Sequence, residues 1–259
     1  MIIINIIMNN KLWNGLVNTV CIIPVSICAY KLYKHIKKTQ IINKIKEYEY
    51  KTKYLYLNGD SVNNYNILKY AFQNYNNITL IIDSCGGNLD STAHIISNIH
   101  EYQNGGGIIH GVVLNNAQSA ATQILMSMNT IYMDKYAVLS PFDAQITFNN
   151  SIRHPVSFLQ DDISTSEIND IIHKKYSEQF HKNSKIILDT YSYQYNLLPI
   201  NKKIKFVEFF ISGKIEHSFP ITRSVLKSFG IKVCEPCLEM IEVSSLFEQI
   251  NQIQPTIML

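Results

Sequence analysis

The chain has 259 residues, 46% of them hydrophobic and 17% charged, which provides for a sizeable core and excludes an intrinsically disordered polypeptide. A formal net charge of +3 is too small to imply a nucleic-acid partner. The basic residues that stand out (Lys31, Lys34, Lys37, Lys38, Lys44, Lys46, Lys51 and Lys53) crowd one stretch with no arginine–aromatic stripe after it, so no nucleic-acid binding is expected.

At the N-terminus no charged residue occurs between Leu12 and Tyr30, with Lys11 before and Lys31 after. A helix needs ~20 apolar residues to cross a bilayer, and this run is close to that length. Asn14, Asn18 and Pro24 weaken it, although membrane helices tolerate a proline. The basic cluster on the C-terminal flank puts the main domain on the cytoplasmic side by the positive-inside tendency. A cleaved signal peptide would need a better cleavage site than Ser26-Ile27-Cys28-Ala29. The expectation is a single-pass membrane anchor with its basic flank over residues 1–38.

Residues 39–77 are rich in Asn, Tyr and Lys and read as a connecting segment, one or two helices with an edge strand near Tyr54–Leu57. The main domain is expected over 78–240, with a C-terminal tail over 241–259. Ile78-Thr79-Leu80-Ile81-Ile82-Asp83 has the β-branched, continuously apolar character of a strand buried on both faces of a parallel sheet. It ends in the turn Ser84-Cys85-Gly86-Gly87, and Asp90 or Ser91 can cap a helix through Ala93, Ile95, Ile96 and Ile99. After the triple glycine at 105–107, Ile108–Leu114 reads as the next buried strand. Ala117–Thr122 then opens a helix through Ile124, Leu125 and Met128. Strand–helix–strand–helix predicts βαβ units and a parallel α/β sheet. Further on, the pattern predicts a helix from about Ser166 to Tyr195, a Pro220-Ile221-Thr222 helix start and a closing strand at Ile231–Val233. Five cysteines include a lone C-x-x-C at Cys234 and Cys237. It lacks a second pair at zinc spacing and sits far from where a thioredoxin motif belongs, so ordinary thiols and no metal site are expected.

Two places carry possible chemistry. Gly86 and Gly87 follow a buried strand, where glycine lets an N–H turn outward and a substrate backbone come close. Ser119 lies at a helix mouth, beside unpaired N–H groups and the positive end of the helix dipole, which can stabilise an oxyanion. Each also has an ordinary reading: a tight turn for the glycines, a helix cap for the serine. Three runs carry more than either alone. These are Ile81 to Gly87, Asn115 to Thr122, and Ile131-Tyr132-Met133-Asp134-Lys135-Tyr136-Ala137-Val138-Leu139-Ser140-Pro141-Phe142-Asp143-Ala144-Gln145. Together with Asp161-Asp162, Asp170-Ile171-Ile172-His173-Lys174 and Gly213-Lys214-Ile215-Glu216-His217-Ser218-Phe219-Pro220-Ile221-Thr222, they resemble the serine dehydrogenase proteinase family. That family has a strand ending in Pro-Gly-Gly, an Ala-Met-Ser-Gly-Gly-Thr nucleophile turn and a Pro-Ile-Thr run in the same order, and its members typically begin with a membrane segment.

The resemblance implies a Clp protease/crotonase-like fold, a peptide or protein substrate, no cofactor, homo-oligomers assembled near 166–195, and acyl transfer at a serine. It assigns Ser119 as nucleophile and Gly86 or Gly87, with the Ala120 N–H, as the oxyanion hole. Relatives such as signal peptide peptidase A use a Ser–Lys dyad, in which a desolvated lysine takes the serine's proton. Lys174 is the matching candidate base; beside Lys175 it also reads as a solvated lysine. A Clp-type Ser-His-Asp triad would place its histidine where this chain has Pro141-Phe142-Asp143. His154 is the next nearest, in a Pro155 turn; His94, His100 and His110 read as ordinary, and His217 as part of the structural Pro-Ile-Thr turn. Cys85, Ala120, Ala121 and Ala144 stand where the family has Pro, Gly, Gly and Pro. Two alternatives stay open: an inactive scaffold of the same fold, and a crotonase-like enzyme acting on acyl-CoA.

Overall fold

The computed structural model describes residues 17–49, 51–60, 65–143, 145–148, 152–155, 179 and 182–253. A long helix, α1 (Val17–Tyr48), leads in, followed by β1 (Lys53–Asp60) and α2 (Tyr65–Asn74). The apolar run at 78–82 then becomes the middle of β2 (Asn77–Gly86), and α3 (Leu89–Asn104) crosses to β3 (Ile108–Val113). The short β4 (Asn116–Ala117) precedes α4 (Ala120–Met126), β5 (Thr130–Met133) and β6 (Val138–Leu139). A separate antiparallel pair, β7 (Gln145–Phe148) and β8 (Ile152–Pro155), comes next. After it stand α5 (Tyr193–Asn196), α6 (Ile200–Phe210), α7 (Arg223–Phe229), β9 (Val233–Cys234) and α8 (Leu238–Ile253).

The parallel α/β expectation is met. Seven strands form one sheet in which every pairing is parallel, with β2 at its hub. Its N-terminal part pairs with β1 on one side and β3 on the other, as at Tyr54↔Thr79 and Ile78↔Ile109. The sheet extends from β3 through β5 to β9. At the other end of β2, Ser84 pairs with Ala117 of β4, and β4 pairs with β6. The edge strand expected near Tyr54–Leu57 is therefore a full partner of the hub strand. Leu55 and Leu57, with Leu68 and Ala71 of α2, are built into the same core as β2.

Alternation along β2 explains why its middle, Leu80-Ile81-Ile82, is continuously apolar. Leu80 and Ile82 enter a core shared with α3, α4 and α6, while Ile81 points to the opposite face, where α1 and α8 supply Ile41, Ile45, Val243, Phe247 and Ile250. Burying a side chain of this size stabilises by about 1.5–3 kcal/mol, so both faces contribute. Gly111 of β3 lets α4 lie close: a Cβ there would meet Leu125 Cδ1 and Met128 Sδ, both at 2.5 Å.

Local details depart from expectation. Asn88, not Asp90 or Ser91, caps α3, its Oδ1 accepting from the N–H groups of Asp90 (2.8 Å) and Ser91 (3.4 Å). The helix expected over about 166–195 is described only from 182 (and at 179), and it breaks at Ser192, whose Oγ donates to the Met126 carbonyl at the end of α4 (3.0 Å). Gln194 Nε2 donates to the Met128 carbonyl beside it (2.9 Å). Those side chains satisfy carbonyls that α4 leaves open at its C-terminus. Asp161, Asp162, Asp170 and Lys174 lie outside the described residues, as does the beginning of the expected membrane segment. Among the described residues, no helix is long and apolar enough to cross a membrane.

Candidate active site

The site forms where β2, β4 and β6 end together. Pairing of Ser84 with Ala117, and of Ala117 with Leu139, brings the segments after them to one edge. Buried hydroxyls fasten this edge. Thr122 Oγ1 donates to the Ala117 carbonyl (2.6 Å) and accepts from the Ser140 N–H (3.3 Å). Ser140 Oγ in turn accepts the Ser119 N–H at 2.9 Å. The turn at 119 is thus fixed from the strand before it and from β6 beside it.

Ser119 has φ 52° and ψ −121°, and among the described residues it is the only non-glycine with positive φ. Such a backbone costs on the order of 1–3 kcal/mol and persists only where its surroundings impose it. Ser119 occupies the N-cap position of α4, yet its hydroxyl makes no capping hydrogen bond. The ordinary reading of this serine as a helix cap therefore fails. The residue is half-buried, with its side chain at the mouth of a helix whose first N–H groups have no intrahelical acceptor.

Gly86 is packed against this turn. A Cβ at Gly86 would stand 2.9 Å from the Gln118 carbonyl oxygen, 2.9 Å from Ser119 Cβ and 3.2 Å from Ala120 N, and its φ of +109° disfavours any side chain. Gly86 and the serine turn therefore share one small volume. The Gly86 N–H donates inward to Ser84 Oγ (3.1 Å), whereas Gly87 is exposed at the same edge. Cys85, where the family motif has proline, is a free and exposed thiol. Ala120 and Ala121 are both accommodated within α4, Ala121 fully buried. Below the site, Asp83 accepts from Asn116 Nδ2 (2.6 Å) and from the Tyr56 hydroxyl (3.5 Å), tying β1, β2 and β4 together. Burial, and then the charge of Asp83, pushes the Tyr56 phenol well above its ordinary pKa, so it stays a neutral donor.

On the other side of β6, Asp143 is buried and binds the His217 ring: Oδ1 lies 2.6 Å from Nδ1, and the other carboxylate oxygen accepts from Gln145 Nε2. This contact joins residues 74 apart in sequence. It gives His217 a partner that its place in a Pro-Ile-Thr turn did not foretell. Both residues lie in the runs that resemble the family, but no spacing along the chain pairs residues 74 apart. Of the other histidines, His94 is exposed, His100 sits edge-on to Tyr191, and His110 packs edge-on to Tyr132. Cys234 and Cys237 are free thiols.

A family model described as ClpP-like SDH-type serine proteinase matches residues 57–259. A search of curated proteins finds no match. Among solved structures, a serine-to-alanine mutant of the membrane-bound stomatin-specific protease 1510-N matches with a TM-score of 0.42 and 16% identity, covering 74% of this chain and 84% of that one. A lysine-to-alanine mutant of 1510-N in complex with a substrate peptide matches with a TM-score of 0.41 and 16% identity, covering 73% of this chain and 78% of that one.

Proposed function

Since the chain belongs to the ClpP-like SDH-type serine proteinase family, we propose that it hydrolyses peptide bonds with Ser119 as the nucleophile. The observation that carries this reading is the strained, uncapped Ser119 turn held against Gly86. A fold does not maintain such a backbone for a cap it does not make. In the proposed reaction Ser119 Oγ attacks the scissile carbonyl, and the developing oxyanion is met by the Ala120 N–H at the start of α4 and by the glycine turn. Of the two glycines, Gly87 is the better donor, because the Gly86 N–H already serves Ser84; Gly86 acts by allowing the close approach. The resemblance offers Lys174 as the base. The substrate is a peptide or an unfolded protein segment.

The same reading includes a membrane tether. It is supported by the uncharged run from Leu12 to Tyr30, and by the part of α1 after it, where Tyr30, Tyr33 and Leu32 are exposed among Lys31, Lys34, Lys37 and Lys38. Lys34 Nζ lies 4.6 Å from the Tyr30 ring centroid. Aromatic and basic residues together are the composition of a membrane–water boundary. Assembly into homo-oligomers is supported by Leu197, Ile200 and Ile204, which are 67%, 75% and 65% exposed on neighbouring turns of α5 and α6. Light scattering on Ile200→Glu/Ile204→Glu then yields a smaller particle than the wild type; an unchanged mass removes this face from the assembly.

The test of function is degradation of an unstructured protein such as casein by the purified full chain. Activity that disappears in Ser119→Ala, with the thermal midpoint preserved, is the expected result. Equal activity in the variant contradicts the assignment. No activity in either protein favours an inactive scaffold of the same fold.

A further inference from the structure

We propose that the cleft between α6 and α7 binds the free C-terminal end of a peptide whose last residue is apolar, its carboxylate at the lysines of the rim and its side chain on an aromatic floor. The cleft stands apart from the Ser119 turn, since none of its residues belongs to β2, β4, β6 or α4. Choosing a peptide over other apolar anions rests on the peptidase reading; the shape and charge of the cleft do not.

The cleft has a volume of about 510 Å³, within the roughly 300–1,000 Å³ of small-ligand sites. One wall is a face of α6. At roughly 100° per residue, Lys202, Lys205 and Phe209 fall on one side of that helix, and the exposed Ile200 and Ile204 fall on another, so the cleft is separate from the surface suggested for assembly. The floor is apolar. Phe209 and Phe229, at the end of α7, meet with ring centroids 5.3 Å apart, and Phe229 is backed by Phe210 (5.5 Å) and Phe206 (5.8 Å) of the core. Ile215 completes this lining. Phe209, Ile215 and Phe229 are only half-buried, so their outward faces remain open to a ligand while the core behind them is filled.

The rim is cationic. Lys202 Nζ donates to the Ser228 carbonyl at the end of α7 (2.6 Å), which fixes its ammonium between the two helices. Lys214 Nζ pairs with Glu208 at 2.8 Å, and the Ser212 hydroxyl holds that turn, donating to the Glu208 carbonyl and accepting from the Lys214 N–H (3.2 Å). Lys205 is exposed and has no ion pair among the described residues. Three lysines against one glutamate leave a formal surplus of two positive charges around the apolar floor.

That combination selects the chemistry of the occupant. A neutral apolar ligand would leave the cations unanswered, and a phosphate-rich one would leave the aromatic floor uncovered. An apolar group with a carboxylate meets both, the carboxylate accepting charge-assisted hydrogen bonds from Lys205 and its neighbours. In the last residue of a peptide, carboxylate and side chain branch from the same carbon, so one residue can reach rim and floor together. Hydrolysis of a peptide bond, the chemistry of the family to which the chain belongs, creates such an end at each cleavage.

The test is fluorescence anisotropy with the full chain carrying Ser119→Ala, which leaves the probe uncut, and an N-terminally fluorescein-labelled peptide ending in Leu-Phe. The free acid is expected to bind at least about tenfold more tightly than the same peptide with a C-terminal amide, the difference made by one charge-assisted hydrogen bond. Adding Lys205→Gln is expected to weaken the free acid by a similar factor and to leave the amide unchanged, a split that a general loss of structure would not give. A benzophenone in place of the last side chain is expected to crosslink to residues 202–215 or 228–229. Equal affinity for acid and amide, a Lys205→Gln protein that binds the acid undiminished, or crosslinks only at the Ser119 edge overturns the site. Decanoate that displaces the probe at a lower concentration than the unlabelled peptide does overturns the peptide as its occupant. Probe binding of the expected pattern, in a protein whose wild type degrades no casein, contradicts the peptidase reading alone.

Discussion

Ser119 combines an unfavourable backbone with a hydroxyl that caps nothing, and the backbone separates it from Ser192, the other serine at a helix N-cap among the described residues. Strain at such a position is relieved by glycine, which reaches φ 52°, ψ −121° without a Cβ penalty. Ser119→Gly is therefore expected to raise stability by ~1 kcal/mol and to abolish proteolysis, whereas Ser119→Ala abolishes proteolysis without the gain. Denaturant midpoints of the three proteins check this, and a destabilised Ser119→Gly would show that the turn is not strained. The candidate nucleophile was legible in the chain because Gly86-Gly87 and Ala-Gln-Ser-Ala-Ala-Thr each follow a buried strand in order. Its strain was not, since no glycine marks position 119 as a left-handed residue. Nor was the Asp143–His217 contact legible: no local pattern joins residues that only the bridge between Leu139 and Ile221 brings together.

Among elements, β2 and β3 could be read directly because their buried stretches, Ile78–Ile82 and Gly111–Val113, are almost wholly apolar or small. The two-residue strands β4 and β6 could not, since they owe their existence to pairing with the end of β2 and with each other. They nevertheless build the site. One element carries a pH dependence. His110 of β3 is half-buried, its Nδ1 has no hydrogen-bond partner among the described residues, and burial lowers its pKa below the ordinary 6.5. A histidine whose folded pKa is depressed contributes stability that is complete above the unfolded value and is lost as pH falls below it toward the folded value. Thermal stability is thus expected to decline below about pH 6.5, and His110→Phe to reduce that decline. Melting curves from pH 7.5 to 5 measure it; identical slopes in the two proteins would exclude His110 as the cause.

At the scale of the molecule, α1 and α8 cover one face of the sheet while α2 to α7 cover the other, so the helix that leads in from the N-terminal apolar run is itself part of the core through Ile41 and Ile45. Lys44 and Glu242 join α1 to α8 at 2.8 Å, and each holds the other's charge: the lysine pKa is raised and the glutamate's lowered. A tether continuous with this helix would set the edge that carries Ser119 at a fixed orientation to the bilayer. Removing residues 1–30 is expected to release the protein from membranes while leaving Ile41 and Ile45 packed. Carbonate extraction of both forms checks this, and a full-length chain found wholly in the soluble fraction would contradict the tether. The family model begins at residue 57, inside β1, and so spans more than the runs that first carried the likeness.

Covalent labelling tests the central assignment most directly. A fluorophosphonate incubated with the full-length wild type should leave its adduct mass on the peptide containing Ser119 and on no other serine, and Ser119→Ala should remain unlabelled. A folded wild type that takes up no adduct at position 119, or takes it up elsewhere with Ser119→Ala equally labelled, would contradict the account.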